Sequence, residues 1–444
     1  MPKVIVIGGG LAGLASAAAL GSLGFEVEIF ESRAFLGGRA TSWPAQSASD
    51  PENEAGELVD NCQHVLMRCC VNLLDFYRRL GVEQSIQFFR TFYFIEPGGR
   101  VSKLQRGVLP APAHFAESFL GMRCLGFKDK ISIARGMLAL MREHARTDLD
   151  QISMADWLHS RKQTPQAIER FWRQVLVSAV NEELDRMAAA HGFQVFWLGM
   201  LANRDSYEMG VPAIPLRELY RDDVWQRVGA IALRPRSAVT RIDTECGRVT
   251  GVRVGEQIFT ADHYICALPF ERVPRIIPEL GLKVDDWEHS PITGIHLWFD
   301  RPVTSLPHAT LLDRTIQWMF NKSEGKYIQL VVSASRSLIE MSRAELIALA
   351  IKELAEFFPE VKSATLDRAH VVKEVRATFS AKPGMEVLRP RASTQFANLY
   401  LAGDWTRSGW PATMEGAVRS GYAAADALLV RTGGKAQFLL PDIA

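Results

Sequence analysis

The beginning of the chain alternates between apolar runs and glycines in a pattern that predicts a buried strand, a tight turn and a buried helix. Residues 3–7 are mostly β-branched, and the small and apolar residues 11–24 follow a glycine-rich turn. Such runs are typical of strands covered on both faces and of helices packed closely on a sheet. A second strand is predicted at 27–30. The apolar stretch 4–25 is as long as a membrane span, but its glycines and the charged strand after it favour a folded α/β unit.

Three glycines at the predicted turn have the spacing of a dinucleotide-binding fingerprint. Gly8, Gly10 and Gly13 match G-x-G-x-x-G between a strand and a helix. There the first glycine allows the sharp turn, the second lets a pyrophosphate approach the backbone, and the third lets the helix pack on the strand. The helix N-terminus offers free N–H groups to the phosphate. Glu31, at the end of the second strand, is placed to accept from a ribose. A glycine-rich turn without a ligand is the alternative, which the strand, helix, strand and acid in this order disfavour.

The loop after Glu31 separates FAD from NAD as the predicted cofactor. Gly37, Gly38 and Arg39 suit a second close approach of backbone to phosphate, because the guanidinium can fork onto phosphate oxygens. A simple NAD dehydrogenase has no need of this loop. The sequence therefore predicts FAD.

A second cluster near the C-terminus is predicted to close the same site. A strand at 399–402 runs into Gly403 and Asp404, and a helix is predicted at 413–429. Gly403 permits close backbone approach, and Asp404 can accept from a ribityl hydroxyl or a phosphate-bound water. The amides of the first helical turn, at Met414, can face the flavin pyrimidine edge and stabilise negative charge there. Taken alone, Gly-Asp before a helix is equally typical of a simple cap.

Composition narrows the class of protein. The chain has 444 residues, of which 48% are hydrophobic and 23% charged, as in globular proteins of more than one unit. Its 51 basic and 50 acidic residues leave a net charge of +1, which provides no overall field for nucleic acid. The six cysteines form no CxxC pair and no zinc-type spacing. We therefore expect reduced cytosolic thiols and no metal site.

The predicted fold class is α/β, with a Rossmann-like FAD-binding domain of three layers (ββα) interleaved with a mixed α+β substrate domain. The stretches assigned to the FAD-binding domain are 1–79, 210–290 and 373–433. The stretches assigned to the substrate domain are 80–209 and 291–372, and 434–444 is a C-terminal tail. The first insertion is largely helical by periodicity, whereas the second mixes strands with a helix.

The motifs resemble those of the amine oxidase and phytoene desaturase superfamily of FAD enzymes. The resemblance rests on the fingerprint with Glu31, the loop at 37–42 and the runs at 401–405 and 411–421. A narrower resemblance, to the hydroxysqualene dehydroxylase family, is carried by residues 59–66, Trp157–Leu158, 176–181, Val211–Pro212 and Leu219–Tyr220. Cys62 departs from this pattern, because glycine is expected there, and its backbone conformation is therefore in question.

The resemblance implies a reaction and residues for it. Its chemistry is reductive removal of the allylic hydroxyl of hydroxysqualene, which yields squalene for hopanoid synthesis while reduced FAD is oxidised. Such a step needs an acid, a cation shielded from water and a hydride. His64 is the first acid candidate because imidazole titrates near neutrality, and Asp60 and Tyr207 follow; a purely structural histidine is the alternative. In similar flavoproteins the residue at Val239 lends its backbone to the adenine.

Other functions fit the same fold. A carotenoid or phytoene-type desaturase would oxidise its substrate, another amine-oxidase-type oxidoreductase would act on an amine, and a prenyl-lipid carrier would do no chemistry. The sequence contains neither a second G-x-G-x-x-G nor a CxxxxC dithiol. We therefore expect an external electron donor whose identity the sequence does not encode.

Segment 108–146 places apolar residues beside lysines and arginines. This combination suits an interfacial element that collects a hydrophobic triterpenoid from a membrane, and an ordinary amphipathic helix packed on its own domain is the alternative. The expected location is the cytoplasm, with a candidate peripheral contact at the inner face of the cell membrane.

Overall fold

The computed structural model describes residues 2–45 and 57–443. Its strands, in chain order, are β1 (Lys3–Ile7), β2 (Glu26–Phe30), β3 (Ser42–Pro44), β4 (Leu58–Asp60), β5 (Leu66–Met67), β6 (Ile86–Phe89), β7 (Thr91–Ile95), β8 (Val101–Gln105), β9 (Met209–Pro212), β10 (Ile231–Arg234), β11 (Arg241–Glu245), β12 (Arg248–Val254), β13 (Gln257–Phe259), β14 (His263–Cys266), β15 (His289–Phe299), β16 (His308–Leu311), β17 (Trp318–Ser323), β18 (Tyr327–Ser333), β19 (Leu366–Phe379) and β20 (Leu399–Leu401).

The α-helices are α1 (Leu11–Gly21), α2 (Val71–Leu80), α3 (Ala116–Gly121), α4 (Phe127–Glu143), α5 (Met154–Ser160), α6 (Pro165–Ala167), α7 (Arg173–Val180), α8 (Ala189–Phe196), α9 (Asp222–Trp225), α10 (Val273–Ile276), α11 (Arg343–Phe357) and α12 (Met414–Arg431). The predicted helix at 11–24 ends at Gly21, because Gly24 has a φ of +84° and turns the chain into β2. Among the described helices, none is both long enough and apolar enough to cross a bilayer.

A parallel sheet in the order β10-β2-β1-β14-β20 joins the beginning, middle and end of the chain. Alternate residues of β1 face different layers: Val4 and Val6 pack on α1 and α12, whereas Ile5 and Ile7 pack toward the antiparallel meander β11-β12-β13. This arrangement confirms the predicted α/β class with three layers. Small residues bring the two helices together, since a Cβ at Gly421 would lie 2.2 Å from the Ala12 carbonyl oxygen.

A second sheet has the order β19-β15-β18-β17-β16-β7-β8. One face is covered by α11, where Ile295 and Leu330 of the sheet join Leu346 and Leu354 of the helix in one core. Because side chains alternate along a strand, the intervening residues of β15, β17 and β18 face the other way. That second face lies against the segment that carries Cys62, since a Cβ at Gly294 would lie 3.1 Å from the Cys62 sulfur.

The helices α4 to α8 pack on an aromatic core of their own. Trp157, Trp172, Phe193 and Phe196 are buried and contact one another edge to face. These aromatic side chains form much of the core of the insertion. The insertion therefore has the rigidity to hold neighbouring surface elements in place.

Three predicted domain boundaries lie within strands and not in linkers between elements. The predicted boundaries at 209/210, 290/291 and 372/373 fall inside β9, β15 and β19 respectively, so the domain division itself stays a prediction. The predicted tail is attached to α12, because the Asp426 carboxylate accepts from the backbone N–H groups of Gln437 and Phe438 at 2.8 and 3.0 Å. Phe438 is buried.

Candidate flavin-binding and active site

The glycine turn before α1 has the geometry that a pyrophosphate requires. Gly8 has a φ of +108°, and a Cβ at Gly13 would lie 2.0 Å from the Gly8 carbonyl oxygen. At Gly10 the nearest atom to a Cβ is 3.9 Å away, so open space remains on the side where a phosphate would approach. Gly10 is also the N-cap of α1 and offers no side-chain cap, which leaves the first amides of the helix for an anion. The residues present therefore fit FAD.

Glu31 is held rigidly at the end of β2. One carboxylate oxygen accepts from the Gly9 N–H at 2.8 Å, and the other accepts from the Arg33 N–H at 2.8 Å and the Ser32 hydroxyl at 3.0 Å. The Ser237 N–H donates to the Glu31 carbonyl at 2.7 Å. This bond places the segment leading to Val239 beside the carboxylate, so Val239 stands at the nucleoside end of the site, and its contact with adenine stays a prediction.

Arg39 joins the two ends of the chain. Its guanidinium donates to both carboxylate oxygens of Asp404 at 2.8 Å and to the Ala377 carbonyl at 2.7 Å. Burial alone would lower the pKa of Arg39, but the Asp404 carboxylate beside it raises the pKa overall. Gly38, on the same loop, lies against Gly10, since its Cβ would be 2.9 Å from the Gly10 Cα. The predicted convergence of both ends on one site is therefore present in the fold.

The N-terminus of α12 completes the cradle. Thr413 caps the helix by accepting from the Gly416 N–H at 3.0 Å, and Met414 begins the first turn as predicted. Gly403 has a φ of +145° and lies just after β20. Within residues 2–45 and 57–443, Thr413 is the side chain found to accept from the first amides of α12, and the Glu415 carboxylate caps α2 instead.

Glu415 is a residue that sequence reasoning missed. It is 1% exposed and caps the neighbouring helix α2, accepting from the backbone N–H groups of Asn72 and Leu73 at 3.2 and 2.7 Å and from the Asn72 amide at 2.9 Å. Burial raises its pKa to about 7. The signal available in the sequence was a glutamate at the second residue of the helix, but its partner is more than three hundred positions away.

The run 58–66 is attached to the cofactor loop. The Asn61 N–H donates to the Thr41 carbonyl at 2.9 Å, and the Asn61 amide donates to the Arg39 carbonyl at 2.9 Å. Cys62 has a φ of +62°, the left-handed conformation in which glycine is expected. The backbone form implied by the resemblance is thus kept although the residue differs.

Asp60 is an anchor with nearly every oxygen position occupied. It is 4% exposed, and one oxygen accepts from the Ser42 hydroxyl at 2.7 Å and the Leu216 N–H at 3.0 Å. The other oxygen accepts from the Lys322 ammonium at 3.1 Å, and Lys322 also donates to the Gln63 side-chain oxygen at 3.1 Å. We call Asp60, Gln63, His64 and Lys322 the polar cluster.

The pKa of His64 lies below that of a free imidazole, which weakens the reason for choosing it as an acid. Burial lowers its pKa, and the charges of Arg39 and Lys322 lower it further against the opposing effect of Asp60. Its Nδ1 lies 3.3 Å from the Cys62 carbonyl oxygen. The Lys322 ammonium, which sequence reasoning also missed, is a second N–H donor in the polar cluster. The role of His64 in catalysis stays a prediction.

Tyr207 lies apart from the polar cluster. Its hydroxyl donates to the Arg90 carbonyl at 2.8 Å and accepts from the Arg106 N–H at 3.1 Å. In the antiparallel pairing of β5 with β9, Leu66 lies opposite Gly210 and Met67 opposite Met209. Tyr207 therefore extends beyond one end of this pairing and His64 beyond the other. The Tyr207 hydroxyl is thus engaged by backbone groups at the far end of this pairing, and its role as an acid stays a prediction.

Comparison with known proteins agrees with this site. The model of the family described as flavin-containing amine oxidoreductase matches residues 11–429. A probable zeta-carotene desaturase of Synechococcus elongatus is 27% identical over 481 residues, which cover 96% of this chain and 98% of the relative. The 15-cis-phytoene desaturase of the same organism is 25% identical and covers 97% of this chain and 96% of its own.

Solved structures share the fold. An oxidoreductase from Methanosarcina mazei matches with a TM-score of 0.70 at 19% identity, covering 94% of this chain and 98% of its own. Cyclohexylamine oxidase from Brevibacterium oxydans matches with a TM-score of 0.65 at 16% identity, covering 96% and 98%. Fold and site together define an FAD-dependent oxidoreductase. The chain belongs to the flavin-containing amine oxidoreductase family.

Proposed function

We propose that the protein converts hydroxysqualene to squalene by reductive dehydroxylation. The carbon–oxygen bond of the substrate breaks, the oxygen takes a proton and leaves as water, and a hydride forms the new carbon–hydrogen bond. Bound FAD in its reduced form supplies the hydride, and an external two-electron donor restores it. The chain's own residues must then bind the polyisoprenoid, deliver the proton and exclude water.

The observation that carries this proposal is the side-chain pattern of β17. Trp318, Phe320 and Lys322 alternate along one face of the strand, while Met319 faces the α11 core. Among the described residues, two acceptors are found for the three N–H donors of the Lys322 ammonium. An acid held next to aromatic rings is what departure of water from an allylic carbon requires, since the rings stabilise the cation that forms.

A second candidate is desaturation of a carotenoid-like polyene. It is favoured by the relatives, because curated proteins matching nearly the whole chain carry the names of zeta-carotene and phytoene desaturases. A desaturase removes hydride from its substrate and expels no hydroxyl, so it gives the Lys322 ammonium no leaving group to protonate. The two reactions therefore run in opposite redox directions on the same cradle.

Anaerobic incubation separates the two candidates. The purified FAD-loaded protein, photoreduced, is mixed with hydroxysqualene, and the oxidised protein is mixed in parallel with phytoene. Squalene in the first reaction, together with return of the oxidised flavin spectrum, supports the proposal. Conversion of phytoene to a more unsaturated product without any squalene in the first reaction overturns it in favour of the desaturase.

A further inference from the structure

Large exposed apolar side chains are concentrated in the first insertion. Val108, Leu120 and Phe127 are 88%, 66% and 77% exposed. We define the insertion apolar face by the residues Val108, Leu109, Leu120, Phe127, Ile131 and Leu138. Other exposed apolar residues, such as Ile258 on β13 and Val430 on α12, are scattered elsewhere on the surface. A concentration of this kind marks an interaction surface, whereas scattered residues need no explanation.

The helix α4 has two apolar sides, and one of them belongs to the insertion apolar face. Phe127, Ile131 and Leu138 stand at i, i+4 and i+11 and share one side of the helix. Ile133 and Leu140, on the other side, are buried in the core of the insertion. One apolar side of α4 therefore packs in the core of the insertion, and the other is exposed and available to a partner.

The elements of the face are fixed relative to one another. The Lys130 ammonium donates to the Leu120 carbonyl at 2.6 Å and so joins α4 to the end of α3. The Ser118 hydroxyl donates to the Gln105 carbonyl at 2.6 Å, and the Gly107 N–H donates to the His114 carbonyl at 2.6 Å. Because these bonds tie the loop and α3 to β8, the apolar side chains are presented by ordered backbone.

Basic residues are numerous in the segment that carries the face. Residues 106–142 contain six lysines and arginines against two acidic residues, while the whole chain has a net charge of only +1. One of the two acids, Asp129, is buried and accepts from the Gly126 N–H and the Thr164 hydroxyl. Lys128 and Arg135 flank the apolar stripe on α4. Apolar anchors inside a basic surround are complementary to an anionic lipid surface.

A series of aromatic rings leads from this face toward the polar cluster. Neighbouring ring centres are 4.2 to 6.5 Å apart. The series runs through His114, Phe115, Tyr207, Phe92, His308 and Phe320. Phe320 stands two residues before Lys322 on the same face of β17. Ring contacts therefore run from the segment before α3 to the strand that carries Lys322.

We propose that the insertion apolar face docks on an anionic lipid bilayer, from which the protein takes its polyisoprenoid substrate. The apolar side chains lie among the acyl chains just below the headgroups, and the surrounding lysines and arginines lie at the lipid phosphates. The docking itself stands on the exposed surface, and the statement about the substrate rests on the proposed function.

Vesicle flotation tests the docking. The FAD-loaded protein is mixed with vesicles of phosphatidylcholine alone or of phosphatidylcholine with phosphatidylglycerol. We expect it to float with the phosphatidylglycerol vesicles and to be released in part by added salt. The pair L120S and F127S should reduce the bound fraction by about tenfold or more, and the pair K128E and R135E should abolish the preference for phosphatidylglycerol. The pair I258S and V430S, whose side chains are 54% and 57% exposed elsewhere on the surface, should float like the unaltered protein.

Flavin absorbance and thermal midpoint, measured on each variant, show that the exposed substitutions leave the fold intact. An unaltered protein that does not float overturns the docking, and so does a pair L120S and F127S that floats as well as its parent. A face that is instead buried between two copies would show as a dimer that these substitutions dissociate. Squalene formation from detergent-dispersed hydroxysqualene is measured separately, so failure of the proposed reaction and failure of docking give different results.

Discussion

The cofactor cradle and the polar cluster adjoin at Arg39 and Asn61 yet are built in different ways. The cradle is made of backbone: positive-φ glycines and helix N-termini that present amides to a phosphate. The polar cluster is made of side chains, and its central pair, Asp60 with Lys322, joins residues 262 positions apart. Local motifs encode the first kind of site. The second depends on which distant segments the fold brings together, here β17 and residues 60–64. Substitutions in the two regions should therefore fail in different ways.

The largest effect is expected in the cradle, at Gly13. A methyl group there would lie 2.0 Å from the Gly8 carbonyl oxygen, and neither backbone can move without separating α1 from β1. We expect Gly13→Ala to cost more than about 4 kcal/mol of unfolding free energy and to yield protein without FAD. Urea denaturation and flavin absorbance measure both.

Gly10→Ala is the matched substitution, because its methyl group meets no atom nearer than 3.9 Å. The apoprotein should keep its stability while FAD affinity falls by more than about tenfold, since the methyl fills the approach of the pyrophosphate. Equal losses of apoprotein stability in both variants would mean that the turn serves folding alone.

Lys322→Met tests the polar cluster, where the expected loss is chemical. We expect the rate of squalene formation to fall by about a hundredfold or more, with FAD content unchanged because Lys322 is outside the cradle. Lys322→Arg should recover part of the rate, and Lys326→Met, on the exposed turn after β17, should have no effect. A full rate in Lys322→Met would remove the residue from the mechanism and return His64 to first place.

Glu415 joins the cradle helix α12 to α2 and should make stability depend on pH. Burial raises its pKa to about 7 from an ordinary 4.5, so between these values the native state holds a proton that the unfolded chain has released. The stability that Glu415 confers relative to Glu415→Gln is therefore greatest below pH 4.5 and falls as pH rises toward 7, by about 3 kcal/mol in all. Denaturation of both proteins across this range gives the difference, and a flat difference contradicts the prediction.

The smallest effect is expected at Cys62, which has a positive φ like the glycines of the cradle but carries a side chain. Cys62→Gly and Cys62→Ala both remove the thiol, but only glycine adopts a φ of +62° without strain. Cys62→Gly should therefore be the more stable by about 1 kcal/mol. At Cys266, in the regular strand β14, the order of the two variants should reverse. The same order at both positions would show that backbone strain at Cys62 is negligible.

The success of sequence reasoning followed this division. The glycine turn, Glu31, the loop with Arg39 and the C-terminal Gly403 and Asp404 were predicted because each is a short motif whose chemistry is local. Lys322 and Glu415 were missed because an isolated lysine on a strand or a glutamate on a helix has no local signal of its partner. Tyr207 was predicted together with His64 and Asp60, and its position at the other end of the β5–β9 pairing is a relation that no local motif encodes.

By itself the sequence determined the layers of the fold and the cofactor. Hydrophobic periodicity and glycine spacing act over a few residues and restrict the local conformations that the chain can adopt. Only the tertiary structure decided which side chains share the space beside that cofactor, how burial shifts the pKa of His64 and Glu415, and which side of α4 remains exposed. Those properties depend on burial and on contacts between strands far apart in the chain, and free energies of that kind are set by the whole assembly of layers.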